Sequence, residues 1–122
     1  MIETDGDLIN PNSNIFPHPR SYGSFPRVLS KYVRELKILT LEQAIQKMTS
    51  MTAMQIRQDD LGKIVSGAYA DLIVFDEDEI EDQATYTNSK VFSKGIEYML
   101  INGKFVISKG ELTNKTPGRW IK

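Results

Sequence analysis

Thirteen residues near the end of the chain, Ile96-Glu97-Tyr98-Met99-Leu100-Ile101-Asn102-Gly103-Lys104-Phe105-Val106-Ile107-Ser108, restrict the fold more than any other stretch. Two runs of strand-forming residues flank Asn-Gly, the dipeptide that enters a type I′ turn most readily because both central residues there need positive φ. Strands at 96–101 and 104–108 are therefore expected to pair antiparallel. A two-residue turn sets Ile101 opposite Lys104, Leu100 opposite Phe105 and Met99 opposite Val106. Lys109-Gly110 turns the chain again toward Glu111-Leu112. A further strand is expected at Ala70–Phe75, apolar on both faces. The acidic residues from Glu77 to Glu81 read as solvated surface.

Before Lys63 the period is helical. Phe25, Val28, Leu29, Tyr32, Val33 and Leu36 recur at helical spacing, with Ser24 as the expected cap and Pro26 in the first turn. Thr40 and Gln43 fit a capping box for a second helix that buries Leu41, Ala44, Ile45 and Met48. A short third helix is expected over Thr52–Arg57. Residues 7–23 hold Pro11, Pro17 and Pro19 and show no period, so they read as a long loop. Helices followed by strands suggest an α+β arrangement or two separate substructures.

A net charge of −1 gives no electrostatic reason to expect a nucleic-acid or anionic-membrane partner. No apolar run approaches the length of a membrane span, and the first twenty residues do not resemble a secretory signal. A cytoplasmic location is expected. With no cysteine and one histidine, neither a disulfide nor a zinc site with three protein ligands can be assembled from thiolates and imidazoles alone. Asp5-Gly6 on its own is an ordinary turn dipeptide. His18 lies between two prolines, and Arg20 offers a guanidinium suited to a carboxylate or a structural ion pair. Tyr22 and Phe25 could line a pocket or pack at the helix entry. Asp71 and Asp76 flank the Ala70–Phe75 strand and are expected to bond turn backbone.

Taken in order, "TDG", "HPRSYGSFPRVLSKYVRE", "LTLEQAIQKMTSMTA", "LGKIVSGAYADLIVFD" and "GIEYMLINGKFVISKGELTNKTPGR" resemble the C-terminal part of the N-acyl-D-amino-acid deacylases, or D-aminoacylases, of the metal-dependent amidohydrolase superfamily. The resemblance runs along nearly the whole chain, and "HPRxYGxFPRVL" is its most specific stretch. It implies an α+β fragment: the helical tail of an incomplete (β/α)₈ barrel over residues 1–58, then the C-terminal half of a small β-sandwich or β-hairpin subdomain over residues 59–122. Active sites of such barrels lie on the loops at the C-terminal ends of the strands. Met1–Thr4 would then be the end of the last barrel strand, with Asp5 at its tip.

The resemblance also implies roles. Asp5 matches the family's general base, which takes a proton from metal-bound water and gives it to the leaving amine. Arg20 matches a residue that holds the substrate carboxylate, with His18 and Tyr22 as further substrate-binding candidates. The loop between Asp5 and His18 departs from the family pattern, which touches specificity. The intact family uses zinc, whose ligands lie upstream, so this chain alone is expected to bind none and to be inactive. The substrate would be a small N-acyl-D-amino acid. The expected partner is a missing N-terminal barrel portion or another copy of the chain. A non-catalytic β-rich association module and one half of a split enzyme are the competing readings.

Overall fold

The computed structural model describes residues 1–10 and 12–121, so Pro11 of the expected loop falls outside it. Helix α1 spans Arg20–Arg27 and runs without a break into a wider π-helical stretch, Val28–Glu35. Helices α2 (Leu41–Met48) and α3 (Ser50–Gln55) follow, then strands β1 (Leu72–Phe75), β2 (Ile96–Ile101), β3 (Lys104–Ser108) and β4 (Glu111–Leu112). No helix among the described residues is long and apolar enough to cross a membrane.

The first helix differs from expectation at its start. It begins four residues before Ser24, and Pro26 lies inside it. The His18 imidazole does the capping instead: its Nδ1 accepts the Arg20 amide proton at 3.0 Å. Ser24 points its hydroxyl back along the helix and donates to the Arg20 carbonyl at 2.9 Å. Pro26 has no amide to offer the Tyr22 carbonyl, one turn earlier. The Ser93 hydroxyl reaches that carbonyl at 3.4 Å. Beyond Arg27 the winding loosens, and the Leu36 amide donates five residues back, to Lys31.

Thr40 caps α2 as expected. Its hydroxyl accepts from the Gln43 amide, and the Gln43 side chain accepts from the Thr40 amide. Thr49, with φ −126° and ψ −93°, separates α2 from α3. The core is small: Val28, Leu29, Ala44 and Ile80 form its buried cluster, with Ile2, Val33, Leu39, Leu41, Ile45, Met48, Phe75 and Ile96 packed around it. Half of the first helix's apolar stripe is not covered, since Phe25, Tyr32 and Leu36 stay exposed. Met1–Thr4 form no strand, because no described segment runs alongside to pair with them. The Ile2 amide donates instead to the Lys47 carbonyl, at 2.9 Å.

The four strands form one antiparallel sheet in the order β1-β2-β3-β4. The Asn102-Gly103 turn forms as expected, with φ of 53° and 72°. Ile101 pairs with Lys104 and Leu100 with Phe105, but a bulge then shifts the register and Met99 faces Ile107 instead of Val106. Asp71 holds the turn from outside by accepting the Asn102 amide proton at 2.7 Å. Asp76 accepts from the Asp78 and Glu79 amides. Both aspartates thus bond turn backbone. β1 starts at Leu72, two residues later than expected, and is not buried on both faces, as Ile73 and Val74 are exposed.

Glu77–Glu81 also departs from expectation. Arg34 donates to the Glu77 and Ile80 carbonyls at 2.8 and 2.9 Å, and Ile80 is buried in the core at 2% exposure. The acidic side chains face outward while their backbone and one isoleucine attach the sheet half to the helices. Gly95 makes that attachment possible. Its φ is 82°, and a Cβ there would lie 2.5 Å from the Ile80 nitrogen. Gly103, at φ 72°, has only the Ala70 Cβ near it, at 3.9 Å. Gly103→Ala is therefore expected to cost about 1–2 kcal/mol, the left-handed backbone penalty alone. Gly95→Ala should cost about 2 kcal/mol beyond that, because backbone must move as well. Urea unfolding of the two variants measures the difference.

Candidate functional site

Three of the four candidate site residues come together at the start of α1. Arg20 Nη2 lies 2.9 Å from Asp5 Oδ2, in an ion pair that is largely open to solvent on the Asp5 side. The backbone of both partners is held. Asp5 sits at φ 49°, a left-handed conformation that aspartate adopts more readily than most residues. The Thr4 and Ser24 hydroxyls, 3.0 Å apart, both donate to the Arg20 carbonyl. The Asp7 amide donates to the Ser21 hydroxyl at 3.1 Å. Residues 4–7 are thus laid along the first turn of the helix, which is why a carboxylate fifteen residues upstream meets the guanidinium.

His18 precedes the helix by two residues and is hydrogen-bonded at both ring nitrogens. Nδ1 accepts from the Arg20 amide, which places the ring proton on Nε2, 3.0 Å from the Tyr86 hydroxyl oxygen. The two rings meet edge to face, with centroids 5.1 Å apart. His18, Arg20, Ser24, Arg27, Asp82 and Tyr86 line a cavity of about 380 Å³. Tyr22 lies outside it: its ring packs on Phe92 with centroids 5.5 Å apart. A helix turns by about 200° over two residues, so Arg20 and Tyr22 cannot face the same way.

Asp82 and Tyr86 are the residues that sequence reasoning missed. Asp82 Oδ2 is 2.9 Å from Arg27 Nη1, its other oxygen is 3.4 Å from the Ser30 hydroxyl, and its side chain is only 14% exposed. The Asp82 carboxylate raises the Arg27 pKa above its ordinary value, chiefly by hydrogen bonding and then by charge. Gly23, in "HPRSYG", lets the helix approach, since a Cβ there would stand 2.9 Å from the Asp82 Cβ. An acidic run gives no sign of which carboxylate will turn inward, and "TYTN" carries no pattern that marks Tyr86.

Among the described residues no group of three or more histidine, cysteine, aspartate or glutamate side chains could hold a metal ion. The residues present therefore do not fit a metal centre, and no step is assigned to one. What the cavity offers is two guanidiniums, Arg20 paired with Asp5 and Arg27 with Asp82, and a histidine-tyrosine wall: an anionic small molecule could meet Arg20 there, with a proton acceptor beside it.

The electrostatics of the adjoining segment give two expectations. Lys94 Nζ lies 3.0 Å from Glu81 Oε2. By hydrogen bonding and then by charge, Lys94 lowers the Glu81 pKa and Glu81 raises that of Lys94. The Glu81 share of stability is present above its unfolded pKa and is lost as pH falls through the lower folded value. The Lys94 share is lost as pH rises through its raised one. Lys94→Gln should raise the Glu81 titration midpoint toward its ordinary value by carboxyl-detected NMR. Arg27→Ala should cost about 1–3 kcal/mol in urea unfolding, because it strands a largely buried carboxylate.

Comparison with known proteins identifies the family and the fold. Residues 6–107 match the model of the amidohydrolase family. An N-acyl-D-glutamate deacylase of Alcaligenes xylosoxydans xylosoxydans is 43% identical over 122 residues, covering 100% of this chain and 24% of that protein. The crystal structure of a D-aminoacylase superposes with a TM-score of 0.79 at 39% identity, over 82% of this chain and 21% of that one. The N-acyl-D-glutamate deacylase of Bordetella bronchiseptica, complexed with zinc and a phosphonate inhibitor that mimics the tetrahedral intermediate, gives a TM-score of 0.73 at 45% identity, over 75% of this chain and 19% of that one. The chain spans about a quarter of the length of the curated relatives it matches.

Proposed function

The chain belongs to the amidohydrolase family, and from that premise we propose that it is the C-terminal, carboxylate-binding part of a zinc-dependent N-acyl-D-amino-acid deacylase. Such an enzyme hydrolyses the amide of an N-acyl-D-amino acid to the D-amino acid and a carboxylate. The observation that carries the reading is the Asp5–Arg20 pair, whose arginine also lines the cavity. Zinc would be held by residues outside this chain, at the active-site end of a barrel that residues 1–58 help to close. Residues 59–122 supply the small β domain.

In this reading Arg20 has two carboxylates to choose between. Asp5 occupies it in the free protein. An exposed ion pair of this kind is worth about 0–1 kcal/mol, so a substrate carboxylate can displace it at little cost. The displaced Asp5 then has no cation to hold it and can act as a base. It takes a proton from the attacking water as the new C–O bond forms, and returns that proton to the nitrogen as the C–N bond breaks. His18 borders the substrate from the cavity wall. Tyr22, on the Phe92 side, bounds the substrate space that the rest of the enzyme completes. Proton transfer by one carboxylate gives little rate without the groups that polarise the amide, so the purified chain is proposed to be inactive on its own.

The uncovered apolar side chains of the first helix and β1 favour the association that this reading needs. That association is with the remaining barrel portion or with a further copy of the chain. Titration with N-acetyl-D-glutamate, followed on the Arg20 guanidinium resonances, should show binding that Arg20→Ala abolishes. Asp5→Asn should bind several-fold more tightly, because it removes the competing carboxylate. Binding insensitive to Arg20→Ala would overturn the proposal. So would turnover of N-acetyl-D-amino acids by the purified chain with zinc, as far as inactivity is concerned.

A further inference from the structure

We propose that Tyr86 is a positioning residue for Arg20 and acts on it through the His18 ring. The inference rests on the proposed function for what Arg20 binds, but not for how Arg20 is held. Three observations carry it. His18 Nδ1 accepts the Arg20 backbone amide proton at 3.0 Å. His18 Nε2 and the Tyr86 hydroxyl are 3.0 Å apart across an edge-to-face ring contact. Arg20, which pairs with Asp5 at 2.9 Å, lines the same cavity as His18 and Tyr86.

The chemistry forces an order on the chain of contacts. A neutral imidazole carries one proton, and the nitrogen that accepts from an amide cannot hold it. A ring that caps the helix through Nδ1 must therefore present Nε2–H outward, and an oxygen set opposite that proton holds the ring in this tautomer. Tyr86 supplies that oxygen from a segment 68 residues further along the chain. The Tyr86 side chain is 80% exposed, so it gives little to the core, and its hydroxyl is placed for this contact rather than for packing. Without Tyr86, Nε2–H meets only water, and the ring can rotate or exchange tautomers, with loss of the cap. Among the described residues α1 has no other side-chain cap, so the amide of its first residue, Arg20, would lose its acceptor while the Thr4 and Ser24 hydroxyls still hold its carbonyl. The 82–90 segment thereby reports its own placement to the carboxylate-binding guanidinium.

Three substitutions separate this role from simple packing. Tyr86→Phe keeps the ring contact and removes the oxygen. His18→Asn keeps a side-chain acceptor at the distance of a local cap while losing the group that Tyr86 meets. The double variant tests whether Tyr86 acts through His18. Nitrogen-15 NMR of the full chain reads the His18 tautomer, and hydrogen exchange reads protection of the Arg20 amide. In the unaltered chain, Nε2 is expected to carry the proton. Tyr86→Phe should give a tautomer mixture and about three- to tenfold faster exchange at Arg20, the loss of one ordinary hydrogen bond. In the His18→Asn background the same change should have no effect on Arg20. An unchanged tautomer and unchanged Arg20 exchange in Tyr86→Phe would overturn the proposal, as would an equal effect of Tyr86→Phe with and without His18. N-acetyl-D-glutamate supplies the separate check. If Tyr86→Phe loosens Arg20 but the unaltered chain does not bind this probe, the positioning role stands and the deacylase reading falls.

Discussion

The structure depends on one clasp. Among the described residues, Ile80, buried among Val28, Leu29 and Ala44, is the one fully buried member of that cluster from the strand-forming half of the chain. It enters because Gly95 passes against its backbone, Arg34 takes up two carbonyls of its turn, and Asp76 closes the turn's amides. Only the bond to the Ile80 carbonyl is partly buried, and leaving that carbonyl unpaired would cost about 1–3 kcal/mol; the others lie at the surface and shape the turn. The apolar contact from this half is small: Ile80, with Phe75 and Ile96 packed beside it. Backbone satisfaction makes it an attachment, and the same segment continues to Asp82 and Tyr86, so the cavity exists only where the clasp has formed.

How much of this was legible follows from how local each signal is. The Thr40–Gln43 capping box, the Asn102-Gly103 turn and the roles of Asp71 and Asp76 were readable because few residues decide them. The start of α1 was not. Ser24 has the composition of a cap, but His18 reached the helix end first, and an imidazole cap carries no familiar spacing. The bulge beside Met99 was hidden because turn chemistry fixes the register only for the first pairs. Glu77–Glu81 was misread because the isoleucine within it, not the surrounding charge, decides where the backbone goes.

The candidate site divides in the same way. Asp5, His18 and Arg20 could be named from their sequence neighbourhood, and the structure places them at one end of α1. Tyr22 shares that neighbourhood but faces Phe92, a distinction that only helical rotation reveals. Asp82 and Tyr86 approach from more than fifty residues away, and nothing in the sequence singles them out. The candidate site is built by the first turn of α1, the residues that lead into it, and a distant segment that braces them.

Strand β1 ends the sheet, with β2 as its one partner among the described residues, and its four residues are Leu72-Ile73-Val74-Phe75. No charged residue or proline interrupts it, although these are the usual guards of a free sheet margin. Its outer row of amides and carbonyls is a template for another extended backbone, and the side chains on either face welcome one. Only its four-residue length and the bulge between Val74 and Phe75 limit such pairing. A polypeptide that covered this margin would increase solubility without touching the cavity.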